Sequence, residues 1–533
     1  MEIFQTSFAG GLQYVSNITL GPDQYFLLKN GRNRFGKLKP TREPILNDSF
    51  PTGILQGIYA YEQKLLVIAS GKVFIKDFTS ETSYSVISGI QLDQEAKTIY
   101  AEFVPASSII YERRAGSSAD KAITLNTGRP VSSPSAVVIQ DGSNRPIKID
   151  LNTLQVETIQ NYSAWTNSKR EYMPIGKQMV WGNNNILYLV SKDGTKLYRS
   201  VSGRPLDFMV VIDANGNKLA SSVDGGADAV NHAVDTDEIT CIKNLNINDG
   251  SIYVGTRRNS YVVTPDYTKQ IFSEPTFNNT PLFSSGCNNF SSIVDLIGDT
   301  AVVNTSGIRS FNAVLTSKNE GRNAPFSATV AALFEGITQT YTAAINFDDY
   351  ALFGVNTNLG SAILVFDTLT QSFVSIDLFG IGLIRQFAVV DTGIEQKLFC
   401  RTDQNLVYEL YNNDAPFATA ELYTRAWMMP SMSIKPSWTA ISIHDAKSDG
   451  VINITTLIDD IEEQALDQNI DAGHDFVLMD NTNCPTGISI SYKITWNFNA
   501  QIQAIVGEAK EESLQSYKQK AKNYRTVLTK RSL

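Results

Sequence analysis

The chain has 533 residues, 42% of them apolar and 19% charged, and its formal net charge is −9. This composition is that of a globular protein, and the length allows two or three hydrophobic cores. The negative net charge argues against a free nucleic-acid-binding protein held by phosphate contacts, although residues 507–533 alone carry seven basic and three acidic residues.

The sequence shows no targeting or membrane segment. No basic stretch with an apolar core follows Met1, so we expect no signal peptide. No apolar run approaches the roughly 20 residues of a membrane span. The four cysteines are far apart and form no CxxC pair, which predicts single buried thiols in a protein made in the cytoplasm. They are Cys241, Cys287, Cys400 and Cys484.

Residues 1–50 are predicted to form an extended docking arm. The glycines and prolines of its segment 30–44 exclude a helix. Five cations lie in that segment against a single glutamate: Arg32, Arg34, Lys37, Lys39 and Arg42. Two interpretations stay open, a solvated loop and an arm that contacts an acidic neighbour or DNA.

Residues 51–411 are predicted to form a β-propeller of about six blades, in a mainly β protein. Short apolar runs of alternating pattern meet turns rich in Asn, Asp and Gly, which is typical of half-buried antiparallel strands. The clearest units are centred on Val254, Val303, Phe353 and Phe399, at intervals of about 50 residues, the usual size of a four-stranded blade. A single unit cannot bury its faces alone, and repetition around an axis solves this problem.

After the propeller the predicted strands become longer. Residues 412–505 are predicted to form a β-sandwich-like domain. Residues 506–533 are predicted to form a short basic helical tail, because apolar residues recur at three- and four-residue steps from position 514 to 528. Since this apolar stripe is narrow, we expect the tail to pack on its own protein or on a neighbour rather than on a membrane.

No catalytic, metal-binding or cofactor-binding residue is predicted. The three histidines are scattered, and no nucleotide-binding, metalloprotease or serine-hydrolase motif occurs. The segment SKDGT at residues 191–195 is similar to the Asp-box turn of sialidase-like propellers, which is a structural hairpin. The acidic pairs Asp348-Asp349 and Asp459-Asp460 could serve a glycosidase, but aspartate is also favoured in turns for backbone reasons.

Several short signatures follow one another between about residues 25 and 411. They are NGRNRFG, VVIQDGSNRPIKI, PIGKQMVWGNNNILYLV, LYRSVSGRPLDF, SIYVGTRRNSYVV, VVNTSGIRSF and ILVFDTLTQSFVSID. Their order, and the Gly-Ile-Arg that follows a GC block, resemble the tail nozzle and packaged-DNA stabilisation proteins of short-tailed (podovirus-like) bacteriophages. Residues 412–533 lie outside the resemblance.

The resemblance implies a structural virion protein of a short phage tail. A homohexamer ring below the portal and its adaptor would extend the channel for double-stranded DNA, retain the packaged genome and conduct it on ejection, without enzymatic activity. An acidic body suits such a channel, since a basic wall would hold the phosphates of passing DNA. The implied location is the virion tail, after synthesis in the host cytoplasm.

Within this interpretation some residues are candidate contacts. The adaptor-docking interface would comprise four cations of the arm: Arg32, Arg34, Lys37 and Lys39. The basic tail would dock onto a neighbour or a distal tail protein. Arg309 and Arg322 flank a loop that would face the lumen or a subunit contact, and the alternative for both is a solvated arginine.

Two alternative functions stay open from the sequence. The first is a receptor-binding tail propeller that binds a host-surface glycan, for which the aromatic loop 266–285 is a candidate. The second is a propeller glycosidase, which needs two carboxylates about 5–10 Å apart across a cleft. No sequence pattern gives that distance.

Overall fold

The computed structural model describes residues 2–513 with several gaps. The residues outside the description are 1, 17–18, 48–52, 81–82, 106, 112–129, 134, 160–172, 183–185, 201–204, 207, 209–231, 234–236, 246–250, 266–276, 284–285, 297–298, 305–306, 311–324, 338–340, 429–431, 474 and 514–533.

Seven short strands come first in the chain and are distributed over several sheets. They are β1 (Glu2–Gln5), β2 (Gly11–Leu12), β3 (Gln24–Tyr25), β4 (Leu27–Lys29), β5 (Gly31–Arg34), β6 (Lys37–Pro40) and β7 (Ile45–Asn47). We call residues 2–47 the N-terminal segment.

Seven antiparallel sheets, blades 1 to 7, follow in the described part of the chain. Blade 1 contains β8 (Leu55–Tyr61), β9 (Lys64–Ala69), β10 (Lys72–Asp77) and β11 (Ser85–Val86). Blade 2 contains β12 (Tyr100–Val104), β15 (Ala136–Gln140), β16 (Ile147–Asp150) and β17 (Val156–Thr158), with the hairpin β13 (Ser107–Tyr111) and β14 (Pro130–Ser133) inserted after β12. Blade 3 contains β18 (Gly176–Gly182), β19 (Ile186–Ser191), β20 (Lys196–Arg199) and β21 (His232–Ala233).

The remaining blades follow the same antiparallel plan. Blade 4 contains β22 (Ile239–Asn244), β23 (Ile252–Thr256), β24 (Ser260–Pro265) and β25 (Phe277–Phe283). Blade 5 contains β26 (Ile293–Leu296), β27 (Asp299–Asn304) and β28 (Gly307–Ser310), and a 3-10 helix (Phe326–Phe334) comes after it. Blade 6 contains β29 (Tyr341–Phe347), β30 (Tyr350–Thr357), β31 (Gly360–Asp367) and β32 (Ser372–Asp377). Blade 7 contains β33 (Ile384–Asp391), β34 (Gln396–Thr402) and β35 (Val407–Leu410), together with β7.

Each blade packs both of its faces against its neighbours. In β9, Leu66 and Ile68 belong to a hydrophobic cluster shared with blade 2, whereas Leu65 and Val67 belong to a cluster shared with blade 7. Each of the seven junctions between neighbouring blades has such a cluster. The ring is therefore closed, which confirms the predicted propeller and sets its blade number at seven rather than about six.

The expectation of half-buried strands is wrong for the second strands of the blades. β19 is buried at all of its positions, and so are β15 and β23. Because alternate residues of these strands enter two different clusters, both faces exclude water. A strand covered on both faces is apolar throughout, instead of alternating with polar residues.

The N-terminal segment closes the ring. β7 is the outermost strand of blade 7, where Asn47 pairs with Val407 and Ile45 with Glu409. The last blade is thus completed by a strand from the beginning of the chain. The prediction of an extended docking arm at residues 1–50 is wrong over β1 to β7, because these strands pair with other strands of the same chain.

A two-sheet sandwich stands beside blades 5 and 6. Its strands after the propeller are β36 (Ala420–Tyr423), β37 (Trp427–Met428), β38 (Met432–His444), β39 (Gly450–Ile458), β40 (Ile461–Ile470), β41 (Phe476–Asp480), β42 (Ser489–Trp496) and β43 (Gln501–Ser513). Sheet I has the order β41-β38-β43-β6-β5, with β1 also paired to β43. Sheet II has the order β4-β36-β42-β39-β40, with β37 paired to β42.

The sandwich is joined to the propeller through the N-terminal segment. β4 lies between β32 of blade 6 and β36, so sheet II continues into blade 6. The side chain of Asn30 accepts a hydrogen bond from the Leu378 amide at 2.7 Å and donates one to the Thr419 carbonyl at 3.2 Å. The predicted helical tail is wrong over residues 506–513, which continue β43; residues 514–533 lie outside the described residues.

Side chains of the inner strands link neighbouring blades. Gln178 of blade 3 donates to the carbonyl of Ile242 and accepts from its amide, both at 2.8 Å. Gln386 of blade 7 bonds in the same way to both backbone groups of Ile58 in blade 1. Between blades 2 and 3 the acceptor is a carboxylate, because the Trp181 amide donates to Glu102 Oε1 at 3.2 Å. The ring is thus held by directional bonds as well as by apolar packing.

Glu102 is expected to make the stability of the propeller depend on pH. Burial raises its pKa to about 7, against the lowering effects of the Trp181 amide and of Lys243. The folded state therefore holds the proton more tightly than the unfolded chain, where the pKa of glutamate is about 4.3, and stability falls as pH rises from that value through 7. Glu102→Gln keeps the acceptor for the Trp181 amide and should raise the free energy of unfolding by about 1–3 kcal/mol at pH 8.

Urea unfolding at pH 4.5 and pH 8 measures this effect. The stabilisation by Glu102→Gln should shrink towards zero at the lower pH. Glu95→Gln, at an exposed position, is the control and should leave the pH dependence of the wild type unchanged. A stabilisation by Glu102→Gln that is equal at both pH values would contradict the assignment.

Candidate functional site

The basic segment of the sequence forms a β-hairpin. Its strands β5 and β6 are joined by a turn at Phe35 and Gly36, whose φ angles are +50° and +77°. Arg32 lies opposite Lys39, and Arg34 lies opposite Lys37. Like charges in directly opposite positions destabilise a hairpin unless acidic partners neutralise them. The structure supplies these partners from blade 6.

Arg32 lies inside the molecule and is paired. Its guanidinium forms a two-pronged ion pair with Asp377, at 2.8 Å to Oδ2 and 3.1 Å to Oδ1, and only 7% of the residue is exposed. The Tyr411 hydroxyl donates to Asp377 Oδ2 at 2.7 Å, and its ring stacks 4.5 Å from the guanidinium carbon. Burial by itself would lower the pKa of Arg32, but the Asp377 carboxylate outweighs it and the pKa is raised. Arg32 is therefore not accessible for docking onto another protein such as the adaptor.

Arg34 contacts Asp348 and Asp349, one of the two acidic pairs that could serve a glycosidase. Its guanidinium lies 2.9 Å from the Asp349 carboxylate and 3.4 Å from that of Asp348, at the turn between β29 and β30. The other pair also lies in a turn, where Asp459 Oδ1 accepts the amides of Ile488 and Ser489 at 2.8 Å. Both pairs therefore have structural partners.

The other predicted contact residues are placed differently. Lys37 and Lys39 lie on β6, and burial together with Arg32 and Arg34 lowers the pKa of Lys39. Arg309 lies half-buried on β28, the third strand of blade 5, and burial lowers its pKa. Arg322 lies outside the described residues, as does most of the aromatic loop, residues 266–276. The docking and lumen roles stay predictions.

The central channel of the propeller is closed by two aromatic rings. Tyr100 on β12 and Phe290, just before β26, approach from blades 2 and 5 with ring centres 5.1 Å apart and an edge-to-face angle of 74°. A cavity of about 800 Å³ lies on one side of this contact and one of about 500 Å³ on the other, and both rings line both cavities. Rings in contact leave no passage for a nucleic-acid strand along the propeller axis.

One face of sheet I exposes apolar side chains. Phe4, Val506, Ala440 and Leu478 are direct cross-strand neighbours on β1, β43, β38 and β41, and they share one face. Phe4 is 53% exposed and Leu478 is 59% exposed. The face also presents two aromatic residues and is bordered by three exposed carboxylates, and we call it the acid-rimmed face. Its further members are Trp438, Phe476, Glu2, Glu508 and Asp480.

The sequence does not reveal the acid-rimmed face. Residues 476–480 read FVLMD, and the apolar run gives no sign that positions 476 and 478 point outward while 477 and 479 are buried. Phe4 reaches the face only because β1 pairs with β43, which is about 500 residues away along the chain. The useful signal would have been the pairing of the chain's two ends, which no local pattern encodes.

The described residues contain no cluster of three His, Cys, Asp or Glu side chains that could hold a metal ion. All four cysteines are buried free thiols, as predicted. In the same part of the chain no helix is long and apolar enough to cross a membrane.

Comparisons with known proteins find similarity to solved structures, at the level of the fold. No family model matches the chain, and no curated protein matches it. Among solved structures, one titled "YCF48 bound to D1 peptide" is similar with a TM-score of 0.39 and 8% sequence identity, over 70% of this chain and 97% of that chain. At this identity the likeness concerns the fold alone.

Replacing Arg32 should destabilise the junction between the N-terminal segment and blade 6. Arg32→Met leaves the Asp377 carboxylate buried without its cation, which should lower the free energy of unfolding by about 3–5 kcal/mol. The matched variant Arg34→Met removes a pair whose carboxylates are 65% and 47% exposed and should cost at most about 1 kcal/mol. Urea denaturation of the two variants measures the difference, and equal losses would contradict this ranking.

Proposed function

We propose that this protein is a structural subunit of a short phage tail, the nozzle ring that extends the DNA channel below the portal and its adaptor. In this role six copies surround the channel, retain the packaged genome and conduct it on ejection. The signatures between residues 25 and 411 suggest the family, and the acid-rimmed face is the structural observation that carries the proposal.

The acid-rimmed face favours a protein that works in an assembly. A contiguous set of exposed apolar side chains on one face of a sheet is characteristic of a surface that is covered by another protein. The face carries the three carboxylates at its border against two cations, Lys435 and Lys510, and the remaining negative charge favours a basic partner. Residues 514–533 carry six basic residues and no acidic one, and they follow β43 of the same sheet directly. The proposed occupant of the face is therefore the basic C-terminal segment of a neighbouring copy of this chain.

The closed propeller axis agrees with a channel formed between subunits. Because Tyr100 and Phe290 fill the middle of the propeller, DNA would have to pass along the common axis of a ring of copies. The chain's net charge of −9 suits a wall along which a polyanion slides. Of the four proposed adaptor contacts, Lys37, Lys39 and the partly exposed Arg34 remain candidates, whereas Arg32 is buried inside the chain.

Charged residues on the acid-rimmed face should prevent ring assembly. The double variant Phe476→Lys, Leu478→Lys places two cations where apolar contact is proposed, so it should fold with the melting temperature of the wild type but fail to enter particles in a complementation assay. Ile394→Lys changes an isoleucine that is 97% exposed on the turn between β33 and β34, and this control should assemble normally. Normal incorporation of the double variant would remove the face from the interface.

Antibody-gold labelling of intact particles tests the location itself. Serum against this chain should label the short tail below the portal, and averaged images should show sixfold symmetry. Label on peripheral fibres would instead favour the receptor-binding alternative, and particles without label would refute a virion role.

A further inference from the structure

The larger cavity of the propeller has an excess of positive charge. It opens at one mouth of the closed channel, has a volume of about 800 Å³, and has Tyr100 and Phe290 as its floor. Five cations and two carboxylates line it, in a chain whose net charge is negative. They are Lys97, Lys177, Arg257, Arg385, Arg401, Glu238 and Asp403.

The two carboxylates already have partners. Glu238 forms ion pairs with Lys177, at 2.6 Å, and with Arg257. Asp403 Oδ1 accepts the amide of Leu383 at 2.9 Å. No described carboxylate forms an ion pair with the remaining cations of the cavity, which are Arg385, Arg401 and Lys97.

Arg385 occupies a position that recurs in the ring. In five blades of the described chain the first strand bulges by one residue near its start. The extra position holds Gln56, Thr240, Thr342 and Arg385 in blades 1, 4, 6 and 7. In blades 1, 4 and 6 the side chain of that residue bonds to backbone groups; the Thr240 hydroxyl, for example, donates to the Cys287 carbonyl at 2.5 Å. Bulges commonly re-aim a side chain towards a functional site. In blade 7 the re-aimed side chain is a cation that lines the cavity.

Arg401 lies beside it on β34, directly opposite Gln386. Only 7% of the residue is exposed, and its Nη1 donates to the Leu55 carbonyl at 2.9 Å. Its other guanidinium nitrogens are not enclosed by the protein, and the residue lines the cavity. A ligand in the cavity can therefore reach them. Burial, with a contribution from Arg385, lowers the pKa of Arg401, as expected for a cation without a neutralising anion.

We propose that this cavity binds an oxyanion, a carboxylate or phosphate group, between the guanidinium groups of Arg385 and Arg401. Planar guanidinium groups bind both kinds of group through paired N–H donors, and the burial of Arg401 strengthens the bonds that it makes. The volume suits a small molecule or a side chain of a peptide, and the aromatic floor provides an apolar contact for the remainder of the ligand. The inference does not depend on the virion role, because it concerns the isolated chain.

Calorimetric titration of the full chain at physiological salt tests the site with two probes. Inorganic pyrophosphate represents a free phosphate ligand, and tetraglutamate represents a carboxylate presented by a peptide. We expect at least one probe to bind with a stoichiometry of one per chain. The tighter of the two probes then identifies the source of the oxyanion.

Three variants separate the site from general electrostatic attraction. Arg385→Gln removes a cation that makes no described hydrogen bond through its side chain, so it should fold normally and weaken binding by about tenfold or more. Arg401→Lys keeps the charge but loses the paired donors and should also weaken binding, with the melting temperature as a check on folding. Arg258→Gln, an exposed arginine on the neighbouring turn that does not line the cavity, should bind like the wild type.

The titrations have clear negative outcomes. Absence of binding of both probes to the wild type would overturn the proposal. Binding that Arg258→Gln weakens as much as Arg385→Gln would also overturn it, since the attraction would then come from surface charge in general.

Discussion

The whole structure depends on the requirement that a ring of sheets must close. A blade is apolar on both faces, as β19 shows, so every blade needs a neighbour on each side and the last must meet the first. Here the seventh blade takes its outermost strand, β7, from the N-terminal segment. The chain therefore cannot place its beginning independently of its end. The positions of β1, β4, β5 and β6 in the sandwich follow from the same route of the backbone.

This route makes the propeller and the sandwich one structural unit. β4 joins sheet II to blade 6, and one cluster contains apolar residues of both sandwich sheets together with the junction of blades 5 and 6. The buried pair of Arg32 and Asp377 lies where the N-terminal segment meets blade 6. Removal of water from an ion pair is costly, so such a pair is retained where its geometry fixes the relative position of two elements. In this molecule the two elements are the β5–β6 hairpin and blade 6.

Local sequence patterns predict the strands well because a hairpin is a local object. Turns such as those at Asp348-Asp349 and Asp459-Asp460 mark the ends of real strands, and the propeller and the sandwich both follow from them. The blade number does not follow, since blades 2, 3 and 5 interrupt the repeat with long connections or omit a strand among the described residues. The basic segment was identified correctly as extended, but its partner Asp377 is 345 residues away, and sequence spacing carries no information on that contact. For the same reason the sequence does not predict that Arg385 and Arg401 line one cavity, because the bulge in β33 brings them together.

The pairing of β1 with β43 also means that sheet I can be completed only late in synthesis of the chain. Residues 2–5 are translated about 500 residues before their partners, residues 505–508. At about 5–20 residues per second the first strand waits roughly 25–100 s before its partner has been translated. Blades 1 to 7 can stack during this interval, because all their strands lie before residue 411, whereas sheet I and the acid-rimmed face form only after β43 has been translated. The exposed apolar side chains of this face are thus brought together late, so that shorter nascent chains on the same messenger RNA do not present it.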